Sequence, residues 1–337
     1  MKILYIGQYS KGTTSKMRAD EISKIINPAQ FDIIDTHVPF FKTNRLFRTI
    51  GFRYKFGPLI YKINNYILKN LKSNSYDLIW VDKGVFITKS TIEILRKQTD
   101  KLVHYTPDMA FYENKSAYFN SSMNLYDYLV TTKLAEIDTY LRHVSKEKLL
   151  VTTQGYSKNI HKPTHAFNQK DDSVVFIGLA EPHRLEIAEL LLKNGINLKL
   201  VGKNWEGFLA KNSKSKNLKY LGEAVYDKAY SELISSSRFS LGLLSKRFNE
   251  YHTTRTFEIP ACGTALLTEK NIETQKIYSD DEVIFYDDNI DLVKKIVYYN
   301  KNSEKLEELI IKGYERVKMG GYDYNSILKK IIEKVTL

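Results

Sequence analysis

A single cysteine, Cys262, among 337 residues excludes an intrachain disulfide and any metal site built on a cysteine cluster, and it fits a reducing compartment. No uninterrupted apolar run reaches the roughly 18 residues that a membrane-spanning helix needs. The opening run Met1-Lys2-Ile3-Leu4-Tyr5-Ile6-Gly7 is too short for a signal peptide and reads as a first strand. Low-complexity tracts and repeats at solenoid spacing are also missing. These absences point to a globular cytoplasmic protein, and its length predicts two domains.

Nucleotide and metal fingerprints are missing as well. Gly7-Gln8-Tyr9-Ser10-Lys11-Gly12-Thr13-Thr14 has the two-glycine spacing of a P-loop, but Thr13 stands where the phosphate-binding lysine belongs. It also lacks the central glycine of G-x-G-x-x-G, which disfavours a nicotinamide dehydrogenase. The seven histidines form no H-E-x-x-H arrangement, and Asp171-Asp172, Asp280-Asp281 and Asp287-Asp288 are adjacent pairs rather than Asp-x-Asp clamps. No metal is expected in the site.

Acid is absent from one long segment. Residues 38–76 contain no Asp or Glu, yet Lys42, Arg45, Arg48, Arg53, Lys55, Lys62, Lys69 and Lys72 supply eight of the chain's 12 excess positive charges. Phe40, Phe41, Phe47, Phe52, Tyr54, Phe56 and Tyr61 are interleaved with them. Three readings fit: contact with an anionic membrane surface at its inner face, a solvated helix with its aromatics in the core, or, least favoured, nucleic-acid binding.

What is present is a strand–helix alternation. Strand-like runs fall at 2–7, 31–38, 76–82, 101–105, 128–132 and 149–153, with helical patterns at 15–26, 59–71 and 89–98 between them. The segment 156–172 is polar and aperiodic and reads as a linker. Strands then resume at 173–177, 198–201, 218–221, 239–244, 265–268 and 283–286, and helices follow at 291–299, 303–317 and 324–335. The pattern predicts an α/β chain of two Rossmann-like parallel-sheet domains, residues 1–160 and 171–321, facing a central cleft. Residues 322–337 form a last helix expected to pack back on the first domain.

Two constellations carry chemistry. The strand 173–177 runs into Gly178, a loop, Pro182 and Arg184 at a helix start, which aims N–H groups and a planar cation at an anion; a plain strand-to-helix connection is the alternative. After the strand 239–244 come Lys246, Arg247 and Glu250, then Arg255 and Glu258 on a short helix holding Pro260. Seven residues separate the glutamates, so one sits on the loop and the other on the helix. A carboxylate suits the paired hydroxyls of a sugar or ribose, and Lys246, Arg247 and Arg255 suit a diphosphate. Asp108, after the strand 101–105, is the candidate base, with His104 behind it.

The stretch Arg255-Thr256-Phe257-Glu258-Ile259-Pro260-Ala261-Cys262-Gly263-Thr264, with Leu266-Leu267-Thr268-Glu269, resembles the signature of CgeB-type (spore-protein-like) glycosyltransferases of the GT-B superfamily. Phe176-Ile177-Gly178 with Arg184, Glu282-Val283-Ile284-Phe285-Tyr286 and Gly313-Tyr314-Glu315-Arg316-Val317 extend the match; Arg18, Thr106-Pro107-Asp108 and Thr131-Thr132-Lys133 look like looser counterparts. The resemblance implies a nucleotide-sugar donor held by the second domain, an acceptor at the first, and no metal requirement. It places Glu258 on the ribose, Arg184 with Lys246 or Arg247 on the diphosphate, and Glu250 near the donor sugar. Tyr251-His252 follow Glu250 where related enzymes have a glycine. The expected activity is sugar transfer to a glycan, lipid-linked or protein acceptor. A nucleotide-sugar epimerase and a non-catalytic glycan- or RNA-binding protein are the alternatives.

Overall fold

The alternation of β-rich and helical runs folds into two six-stranded sheets, all of whose pairings are parallel, in a computed structural model that describes residues 1–72 and 75–336. Residues 73, 74 and 337, at the edges of the basic segment and the last helix, lie outside the described residues. The chain divides into two compact units, residues 1–153 with 324–337, and residues 154–323.

Unit 1 holds β1 (Lys2–Gly7), β2 (Gln30–Asp35), β3 (Tyr76–Asp82), β4 (Thr99–Thr106), β5 (Tyr128–Thr131) and β6 (Leu149–Val151), in the order β2-β1-β3-β4-β5-β6. Its helices are α1 (Thr14–Ile26), α2 (His37–Lys42), α3 (Arg45–Tyr54), α4 (Pro58–Lys69), α5 (Lys89–Arg96), α6 (Ala117–Ser122) and α7 (Ile137–Leu141). Strand residues alternate between faces. Ile3, Tyr5, Leu78, Trp80 and Val103 pack on one side with α1; Leu4, Ile6, Ile79, Val81 and Leu102 pack on the other with α4 and α5. Thr13, which spoils the P-loop reading, caps α1 by accepting from the Lys16 N–H.

Unit 2 holds β7 (Asp171–Ile177), β8 (Leu198–Val201), β9 (Leu218–Tyr220), β10 (Ser237–Leu241), β11 (Ala265–Glu269) and β12 (Ile284–Tyr286), ordered β12-β11-β10-β7-β8-β9. Around them lie α8 (Pro182–Lys193), α9 (Glu206–Lys211), α10 (Asp227–Ser235), α11 (Arg255–Ala261), α12 (Thr274–Ile277), α13 (Asn289–Lys301) and α14 (Ser303–Met319). The last helix, α15 (Tyr324–Thr336), belongs to unit 1, where Leu328, Ile331 and Val335 pack against the Ile3–Tyr5–Ala19 side of the core.

Two expectations need correction. Residues 156–172 are not a free linker but lie along unit 2: Tyr156 bridges to Asp323, and the Thr164 N–H donates to Ser235 Oγ at 2.9 Å. His161 is buried, with its Nδ1 accepting from the Ser157 N–H at 3.0 Å. Short turns, single backbone contacts and side-chain caps satisfy this backbone instead of a long helix or sheet ladder, which is why it shows no period. Nor is the aromatic set of segment 38–76 all core. Phe40 packs on the core, but Phe41, Phe47, Phe52, Tyr54, Phe56 and Tyr61 are exposed.

Candidate functional site

In unit 2 the chain winds outward from β7 through β8 to β9, and outward the other way from β10 through β11 to β12. Where β7 and β10 lie side by side the winding reverses, and the loops beyond the carboxyl ends of strands at such a switch point are the usual ligand position. These loops carry residues 178–184 and 242–250.

Glu181, which the sequence reading missed, ties the two loops together. Its buried carboxylate takes Ser245 Oγ–H at 3.2 Å, lies 3.3 Å from Arg184 Nη1 and faces His183 Nδ1 at 3.8 Å. His183 donates from Nε2 to the Leu244 carbonyl at 2.9 Å. Burial, reinforced by Arg184, holds His183 below its usual pKa, which suits this neutral tautomer. The only local sign of Glu181 was an acid just before Pro182, three residues ahead of Arg184.

Arg184 is 11% exposed along its side chain; Nη1 donates to the Leu179 carbonyl at 3.1 Å, and the guanidinium lies over the Phe176 ring. Its Nε, like that of Arg255, is buried with no hydrogen-bond partner among the described residues. Burial lowers the Arg184 pKa; Glu181 opposes this, Arg255 and Arg247 add to it, and Glu250 opposes it. Four of the expected residues, Arg184, Arg247, Glu250 and Arg255, therefore share one electrostatic neighbourhood. A buried cation with an unpaired N–H, pressed by other cations, is a place for an anion.

Gly178 and Lys246 are placed differently from expectation. The Gly178 N–H is occupied by the Val201 carbonyl at 2.8 Å, and its own carbonyl accepts from Trp205 Nε1 at 2.9 Å. A Cβ on Gly202, at φ 148°, would stand 1.8 Å from the Gly178 oxygen. Glycine serves here to bring two backbones together, not to present a free N–H. Lys246 is 54% exposed and pairs with Glu269, while Arg247 is exposed.

Glu258 is 5% exposed at the start of α11. Tyr230 donates to its Oε2 at 2.6 Å, and His161 Nε2 lies 3.7 Å from Oε1. Because His161 Nδ1 accepts from a backbone N–H, Nε2 carries the proton and faces the carboxylate. Neither partner was legible from sequence, since one lies in the misread segment and the other on α10. Pro260 leaves the Thr256 carbonyl without its helical donor, and Tyr278 Oη fills that place at 2.7 Å.

In unit 1, Asp108 is 27% exposed and pairs with Lys83 Nζ at 2.8 Å, with Asn114 Nδ2 donating to the same oxygen at 3.1 Å. Burial raises the Asp108 pKa, but Lys83, then Lys133 and Arg18, outweigh it and hold the carboxyl below its ordinary value. His104 does not stand ready behind it. The ring is 1% exposed, stacked on Phe119 at 4.3 Å, with Nε2 on the Lys83 carbonyl at 3.0 Å. Among the described residues, no group of three or more His, Cys, Asp and Glu could hold a metal ion.

Burial drops the His104 pKa from 6.5 to about 4, which makes it an acid-sensitive core residue. Below 6.5 an unfolded chain takes a proton that the folded one refuses, so the contribution is complete above that pH and is lost as pH falls toward 4. The gap is worth about 3 kcal/mol. In thermal melts across this window, His104→Phe should flatten the fall in stability by up to this amount; an unchanged profile would show that His104 is not buried neutral.

Residues 184–333 match the family model described as glycosyl transferase-like. No curated protein matches the chain in sequence. Among solved structures, Anabaena HepE in complex with UDP and glucose has a TM-score of 0.67 at 15% identity, over 100% of this chain and 99% of that one. The sucrose-phosphate synthase of Thermosynechococcus elongatus gives 0.68 at 13% identity, over 99% and 98%. TarM gives 0.60 at 15%, over 84% of this chain and 59% of that one. The chain thus has the GT-B fold, and the stretch that matches the glycosyl transferase-like family runs from α8 of unit 2 into α15, with Arg184, Glu250, Arg255 and Glu258 inside it.

Proposed function

We propose that this chain is a glycosyltransferase that moves a sugar from a nucleotide-diphosphate donor to a glycan, lipid-linked or protein acceptor. The observation that carries the reading is the pair of buried, unpartnered Nε–H groups of Arg184 and Arg255 in the switch-point neighbourhood of unit 2. A diphosphate supplies the acceptors they lack, and Arg247 adds charge as the leaving group's negative charge develops. Glu258, fixed by Tyr230, takes the ribose hydroxyls, and Glu250 faces the donor sugar. Lys246 reaches the diphosphate only by leaving Glu269. With this many fixed cations the chemistry needs no metal in the site. Gly178 contributes shape rather than a hydrogen bond.

The acceptor belongs to unit 1. There Asp108, ionised at neutral pH, receives the proton of the attacking hydroxyl while the bond from the anomeric carbon to the diphosphate breaks. Lys83 keeps it a weak base until the acceptor displaces the ammonium. The match over residues 184–333 agrees with the finer likeness to CgeB-type enzymes, and a nucleotide-sugar donor agrees with a cytoplasmic setting at the inner membrane face.

The test is a thermal-shift panel of nucleoside diphosphates and their sugars. At about 100 times Kd a true donor stabilises by about 2.7 kcal/mol, a shift of several degrees. No shift with any of them would sink the donor site and favour a glycan- or RNA-binding role. Incubating the stabilising sugar nucleotide alone then separates transferase from epimerase, because only the latter converts it without releasing a nucleoside diphosphate.

A further inference from the structure

The α2–α4 side of unit 1 shows a combination that the transfer reaction does not use. Of the ten residues of α3 only Gly51 is buried, and a Cβ there would stand 2.5 Å from Leu59 Cβ. The helix is therefore seated on α4 through a glycine contact, and its large side chains are left outside. Leu46 is 64% exposed, Phe47 44% and Tyr54 66%, with Phe56 and Tyr61 at 72% just beyond. Phe47 and Tyr54, seven residues apart, share a face of the helix.

The segment 38–76 itself carries charge of one sign. Of the eight cations of segment 38–76, only Lys72 has an ion-pair partner, Asp32, among the described residues. Three of the others line a groove of about 670 Å³ with Phe40, Thr49 and Phe52: Arg48, Arg53 and Lys55. Glu113 is the one acid on its wall. Arg48 lies 5.6 Å over Phe40 and Phe41, and Lys55 Nζ 4.7 Å over Phe52, so the cations are held against aromatic faces rather than spread into solvent.

Exposed aromatics beside unpaired cations match the interface of an anionic bilayer, where aromatic rings sit at headgroup depth and basic side chains are drawn to lipid phosphate. We propose that this face docks on an anionic lipid surface, with one lipid phosphate in the Arg48–Arg53–Lys55 groove and Phe47 and Tyr54 entering the interface. It rests on unit 1 alone and holds whether or not the donor site behaves as proposed.

The full chain is sedimented with neutral phosphatidylcholine vesicles and with vesicles carrying about 30 mol% phosphatidylglycerol, a density at which the anionic surface attracts basic segments. Wild type should sediment with the anionic vesicles only and be released at about 0.5 M salt, where screening is strong. Arg48→Gln/Arg53→Gln should weaken binding about 30-fold, since each cation near such a surface contributes about fivefold. Phe47→Ser/Tyr54→Ser should weaken it about tenfold or more. Both pairs are at the surface, and an unchanged melting temperature confirms their folding. Equal binding to neutral vesicles, or wild-type binding by either variant, overturns the proposal. So does tighter binding to a single-stranded RNA oligonucleotide than to the anionic vesicles, or release by millimolar inorganic phosphate at constant ionic strength, which would make the groove a site for free anion.

Discussion

Arg184→Ala is expected to lower kcat/KM for the sugar nucleotide about 10³-fold and to abolish the thermal shift given by the nucleoside diphosphate alone. The magnitude follows from where this cation sits. Its side chain is mostly buried, Glu181 holds one end and Phe176 supports its plane, so its orientation is set before a ligand arrives. A preorganised charged donor in a dry site is worth far more than one that must be ordered on binding. Part of the loss should appear in KM, because the diphosphate is charged in the ground state, and the rest in kcat, because its charge grows as the sugar leaves. Arg184→Lys should recover little, since an ammonium has no planar fork and cannot use the position of Nε. Glu181→Gln keeps the volume but weakens the anchor, and should raise KM more than it lowers kcat. Wild-type kinetics for Arg184→Ala, measured by nucleoside diphosphate release, would remove the diphosphate from this switch point altogether.

The alternation that predicted two parallel sheets was legible because each strand is short, apolar and bounded. All twelve strands appear, with ends displaced by a few residues, and β1, β3 and β8 match residue for residue. Helices α2 and α3 were not read from the sequence, because α2 has only six residues and the apolar stripe of α3 is interleaved with cations and left outside, with Gly51 alone buried. The donor-site candidates divide along similar lines. Arg184 and Glu258 stood out because each opens a helix after a strand, a local pattern. Their holders, Glu181, Tyr230 and His161, are set by which loops the strand order brings together, and no local spacing encodes that. Gly178 misled for the same reason: the sequence showed a glycine after a strand, but only the neighbouring strand showed that its N–H was already taken.

Arg18→Met should destabilise the protein by about 3–5 kcal/mol, lowering the melting temperature of unit 1 by about 10 °C. Arg18 was one of the looser family counterparts in the first domain, but its surroundings are those of a structural cation. It meets Asp82 through Nε at 2.7 Å and Nη2 at 2.9 Å, with side chains 1% and 0% exposed, under the rings of Tyr105 and Tyr324. Gly7 makes room for this pair, as a Cβ there would stand 2.9 Å from Asp82 Cβ. The contact joins α1, β3, β4 and α15. Taking away the cation alone leaves a carboxylate with neither water nor partner, and that is the costly state. Arg18→Met/Asp82→Leu, which removes both charges, should recover most of the loss, and the double-mutant cycle should return a coupling of several kcal/mol. If Arg18→Met instead melts like wild type but turns over slowly, Arg18 belongs with the reacting groups, and the resemblance read its role better than its burial does.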